Sequence, residues 1–99
     1  IWKYMQENMG KCSDARGPIY LQMIFSDISA ALGTKDTTSA IRFLEKLFGY
    51  LGITPPEAVQ RDHLALLARS VNPVRLRNNP VLIDRQTAWK LYDRILYDV

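Results

Sequence analysis

The ninety-nine residues are 47% hydrophobic and 23% charged, with thirteen basic against ten acidic side chains and a net charge of +3. That is too much apolar material for a disordered chain and enough for one modest core. A single cysteine, Cys12, excludes an intramolecular disulfide, and no apolar run reaches the ~20 residues of a membrane helix. Lys3, Gln6, Glu7 and Asn8 interrupt the first turns, so no signal-peptide pattern opens the chain and a cytoplasmic setting is expected.

Ile1 to Met9 is the first predicted helix, with Ile1, Met5 and Met9 on one face and Trp2 beside them. No start signal precedes Ile1, so the chain reads as a piece of something longer. Residues 10–17, GKCSDARG, form a loop between two glycines. Pro18 suits the first position of a second helix, whose stripe is Leu21, Ile24, Phe25, Ile28, Ala31 and Leu32 and whose cap is Gly33. Thr37 or Thr38 caps a third, where Ile41, Leu44, Leu47, Phe48 and Leu51 recur at three and four until Gly52 closes it. Glu45 and Lys46 fall on its wet side.

Thr54-Pro55-Pro56-Glu57 has the form of a capping box with proline at the first helical position, so a short helical turn should follow. Arg61 to Ser70 carries Leu64, Leu66, Leu67 and Ala68 at helical spacing, and Pro73 limits its extent. Residues 70–84, SVNPVRLRNNPVLID, read as a connector: proline holds its predecessor extended and the asparagines accept turn conformations. Arg75 and Arg77 are expected to tie that turn to neighbouring helices through carbonyls. Asp84 caps the last helix, which directs Ala88, Leu91, Tyr92, Ile95 and Leu96 inward. No stretch alternates long enough to be a strand. The expectation is an all-α fold, a compact bundle of about five or six helices forming one domain over 1–99, with Leu44 and Leu91 in its core.

Chemistry is hard to assemble from these residues. His63 is the one histidine, and a metal site usually draws on three or four ligands, so it reads as a surface or packing residue; Asp62 beside it faces elsewhere on a helix. Cys12 sits near the basic Lys11 and Arg16, the setting of a reactive thiol, but no histidine is near it in sequence. Ser13 and Asp14 lack a base. Glu45, Glu57, Asp84 and Asp93 are explained by helix faces or caps, and Asp98 is terminal. Gly10 and Gly17 do not make a phosphate loop, because no strand precedes them. Arg42 and Arg61 could sit on a reading helix, yet no helix carries the dense polar row that DNA demands. Trp2 and Trp89 read as core and rim. Arg69, Arg75, Arg77 and Arg85 fall within seventeen residues, as either a phosphate-binding cluster or solvated helix ends. No catalytic residue and no metal ligand is assigned.

Residues 63–96, HLALLARSVNPVRLRNNPVLIDRQTAWKLYDRIL, resemble the carboxyl end of the iron-containing alcohol dehydrogenase superfamily. The likeness rests on Val71-Asn72-Pro73, Arg75-Leu76, Asn78-Asn79-Pro80 and the acid Asp84 before a final helix. AIRFLEKLFGYLGI, Ala40 to Ile53, is similar to that family's helix before its Leu-Gly-Ile-Pro turn, and Leu21 to Gly33 to its helix ending in Ala-Leu-Gly. Pro55-Pro56 departs from the single proline usual there.

The resemblance implies a helical carboxyl-terminal domain of the dehydroquinate synthase-like kind, set against an amino-terminal nucleotide-binding domain of the same chain. NAD(P) and a divalent metal, often iron, would occupy the cleft between them, where hydride passes reversibly between an alcohol and an aldehyde or ketone. The family's ligands are an aspartate and three histidines, the last in a His-Gly motif opening a helix like Ile1 to Met9. None can be placed here, so this segment alone is expected to bind neither group. Trp2 and Met5 are implied positions on the cleft wall, and a homo-oligomer is compatible with this reading. The alternative is a stand-alone helical module that binds protein or nucleic acid through its basic face.

Overall fold

The computed structural model describes residues 1–57 and 60–97, and every regular element among them is helical. Six α-helices follow in order: α1 Trp2–Glu7, α2 Gly17–Ala31, α3 Thr37–Tyr50, α4 Leu64–Ser70, α5 Pro73–Leu76 and α6 Arg85–Tyr97. Short 3-10 turns lie at Met9–Lys11 and Arg61–His63. The all-α expectation holds. The chain gathers into two units, Ile1–Thr54 and Pro55–Val99. No helix among the described residues is long and apolar enough to cross a membrane.

In the first unit, α2 buries a line at i+4 spacing, Leu21, Phe25 and Ser29. The Ser29 hydroxyl donates to the Phe25 carbonyl at 2.7 Å, so a polar residue is buried without an orphaned group. The predicted stripe is therefore corrected at its far end, since Ile28 is 42% exposed and Ala31 faces water. Gly33 closes α2 with φ +74°, the Thr34 N–H reaching the Ser29 carbonyl and the Gly33 N–H that of Ala30. Gly52, with φ +72°, repeats the motif behind α3, where the Ile53 N–H reaches Phe48. A left-handed residue is what lets the chain satisfy those last carbonyls.

The cap of α3 is Asp36, one residue before the threonines expected there; its Oδ1 accepts the Ser39 N–H at 2.8 Å. That bond holds the Asp36 carboxyl below its ordinary value. Of the predicted α3 face, Ile41 and Leu44 are half-buried, whereas Leu47, Phe48 and Leu51 are exposed; the buried residue is the small Ala40. The first helix also turns differently. Tyr4 is its buried residue, Ile1 is 64% exposed, and Met5 and Met9 are half-buried. The chain leaves the α-helix at Asn8 and tightens, so the 1–5–9 face never forms as one stripe. Gln6 donates to the Thr38 hydroxyl at 3.0 Å, linking α1 to α3.

In the second unit, α4 and α6 pack against each other. Leu64, Ala68 and Ala88 are buried there, and the two alanines present little bulk on their helices. No helix starts at Pro55 or Pro56, and Ala58 and Val59, where that turn would continue, lie outside the described residues; the capping-box reading is withdrawn for Thr54–Glu57. The 3-10 turn Arg61–His63 runs straight into α4. Arg61 bonds Asp93 of α6 at 2.6 Å and lies 4.8 Å from the Tyr97 ring centre.

Residues 70–84 hold more structure than a connector needs. The Asn72 side chain accepts the N–H groups of Val74 at 2.9 Å and Arg75 at 3.4 Å, and so starts α5. The Asn79 amide donates to the Val81 carbonyl, and Val81 and Ile83 are buried. Arg75 and Arg77 do not bond carbonyls among the described residues, contrary to expectation. Asp84 caps α6 as expected, accepting from the Thr87 N–H at 2.7 Å. Ala88 is buried and Leu91, Tyr92 and Leu96 are half-buried, but Ile95 faces outward.

Candidate functional site

Three arginines of the sequence cluster line one cleft of about 380 Å³. Arg69 lies in the last turn of α4, Arg77 follows α5 directly, and Arg85 opens α6. Their convergence has a local cause. Asn72 and Pro73 end one helix and begin another within a few residues, while the buried Val81 and Ile83 anchor the return to α6. The rest of the lining is mainly apolar, Val71, Leu76 and Ile83 among it, and includes the acid Asp84. A neighbouring open cleft shares Arg69 and Arg85 and adds Gln86 and Trp89. Arg75 does not line the first cleft. None of the three lining arginines forms an ion pair or hydrogen bond with another described residue.

The other candidate residues do not assemble. His63 is exposed and borders an apolar cleft with Leu66, Leu67, Tyr92 and Ile95. Among the described residues, no three of His, Cys, Asp and Glu come together as a metal ion needs. Cys12 is half-buried and unbridged. Its basic neighbour Arg16 is engaged elsewhere, bonding both Asp14 carboxylate oxygens at 3.0 Å and the Tyr20 hydroxyl at 3.0 Å. Trp2 meets Phe25 edge to face, with ring centres 5.7 Å apart, so its ring belongs to the packing of the first unit.

The Asp14–Arg16 pair is a feature that the sequence reading missed, although Asp-x-Arg followed by tyrosine four residues later is a usable signal. Side-chain bonding from Arg16 leads the causes that hold the Asp14 carboxyl down to about 2, from an ordinary 3.8. A group depressed in this way adds stability above pH 3.8 and loses it as pH falls through about 2. Carboxyl-carbon NMR should show Asp14 titrating near 2 in the native chain and higher in Arg16→Ala, though still below 3.8 because the main-chain N–H of residue 16 keeps donating to its Oδ1. An unmoved midpoint in the variant would refute the assigned cause.

The fold and site thus define an all-α pair of units with a basic cleft in the second and no metal-ligand set among the described residues. No family model matches the chain, and no solved structure matches it. The chain is 32% identical over 82 residues to a phosphonoacetaldehyde reductase of Streptomyces viridochromogenes. The match covers 83% of this chain and 20% of the reductase, so the chain spans about a fifth of that protein's length.

Proposed function

We propose that this chain is the helical carboxyl-terminal domain of a metal-dependent NAD(P) oxidoreductase of the iron-containing alcohol dehydrogenase type. It forms one wall of the cleft in which hydride passes between an alcohol and an aldehyde or ketone. The 32% identity to a reductase over 82 residues carries the reading. Leu47, Phe48, Leu51 and Ile53 support it, because such a run of exposed apolar side chains suits a face that another lobe covers.

Among the described residues no three of His, Cys, Asp and Glu come together, and in this proposal the metal ligands and the nucleotide come from a part of the protein ahead of Ile1. No step of the hydride transfer is placed on residues 1–97. The substrate is a small alcohol or aldehyde, and the reductase likeness makes a phosphono-aldehyde the first to try. Reading the coding sequence ahead of Ile1 is a direct test. A His-Gly pair a few codons upstream and a glycine-rich dinucleotide segment farther out are expected; a frame without either defeats the proposal.

A further inference from the structure

We propose that the cleft between α4, α5 and the start of α6 binds a phosphoryl or phosphonyl dianion, held by Arg69, Arg77 and Arg85. The inference stands on the cleft alone and does not need the oxidoreductase reading. Arginines that merely solvate helix ends point apart, yet these three come from three elements and line one concavity. No described residue neutralises them by an ion pair or hydrogen bond. The one acid of the lining, Asp84, commits one oxygen to the Thr87 N–H as the cap of α6.

Three arginines against one carboxylate give the lining a net charge of two positive units, which matches a phosphate monoester or phosphonate dianion. The planar guanidinium fork offers paired donors to phosphoryl oxygens, which a lysine would not. Val71, Leu76 and Ile83 give the cleft an apolar lining, while all three arginines are exposed and so accessible to an anion from solution. A volume of about 380 Å³ admits the anionic head and a short organic group. A larger ester has room beside it, where the adjoining cleft adds Gln86 and Trp89 to the shared Arg69 and Arg85. A flat ring could stack there on the Trp89 indole.

The full chain, labelled with nitrogen-15, would be titrated with inorganic phosphate, methylphosphonate, AMP and acetate. Phosphate and methylphosphonate should give saturable shifts of the amides between Arg69 and Arg85, and acetate should give none. Arg69→Gln, Arg77→Gln and Arg85→Gln should each weaken phosphate by about tenfold, the worth of one charged hydrogen bond. Arg75→Gln, outside the cleft, should bind as the native chain does, and the helical circular dichroism of all four should match the native spectrum. Shift mapping on the native chain keeps the test valid if a variant misfolds. AMP binding more tightly than phosphate, with a shifted Trp89 indole N–H, identifies an ester as the ligand; equal affinity identifies the free ion. The proposal is overturned if no saturable shift appears at those amides, or if Arg75→Gln weakens phosphate as much as the others. It is also overturned if duplex DNA binds far more tightly than any of these probes, with the steep salt dependence of a polyanion surface.

Discussion

Phe25→Ala should lower the unfolding free energy by about 3–5 kcal/mol, the usual cost of emptying an aromatic site in a packed core. Phe25 is 5% exposed at the middle of the buried α2 line and meets the edge of Trp2. Such an aromatic pair adds roughly 0.5–1.5 kcal/mol beyond burial. Truncation removes both contributions and leaves a void beside Trp2, whose buried Nε1 already has no hydrogen-bond partner among the described residues. A urea titration reads this as a lower midpoint with an unchanged slope. Ile28→Ala, three residues on and 42% exposed, is the control and should cost far less. Equal losses at the two positions would show that α2 faces its unit differently.

Leu64→Ala is expected to cost about 2–5 kcal/mol in the second unit. The side chain is wholly buried at the start of α4, and the other buried positions on α4 and α6 are the short Ala68 and Ala88, which cannot extend to refill the space. Leu44 and Leu91, which the sequence marks as core, are only half-buried, so alanine there should cost less than at Leu64. A larger loss at Leu91 than at Leu64 would reverse the assignment of the α4–α6 packing.

Those leucines show what apolar periodicity can and cannot reveal. Punctuation was legible: Pro18, Gly33, Gly52 and Asp84 set helix limits for reasons local to the backbone. The spacing of Leu47, Phe48 and Leu51 likewise marks one helical face. Whether anything covers that face is a tertiary fact, and here those side chains stay exposed. Ser29 was invisible to a hydrophobic count because its burial depends on a back-bond to Phe25. Thr54–Glu57 has the chemistry of a cap without the helix, since a capping box can only stabilise a turn that packing also favours.

The basic cleft was half legible. The grouping of Arg69, Arg75, Arg77 and Arg85 shows in the sequence, but its aim depends on α5, a single turn that Asn72 starts. On a helical turn, residues two apart point in different directions, which parts Arg75 from Arg77. No pattern in the sequence alone distinguishes the one that lines the cleft.

Catalysis by the full-length protein decides whether this is the helical lobe of a dehydrogenase. Purified with divalent iron or zinc, it should oxidise NADH or NADPH in the presence of phosphonoacetaldehyde or a simple aldehyde, and a chelator should abolish that turnover. No consumption of either cofactor with any aldehyde or ketone, in metal-loaded and folded protein, would contradict the assignment.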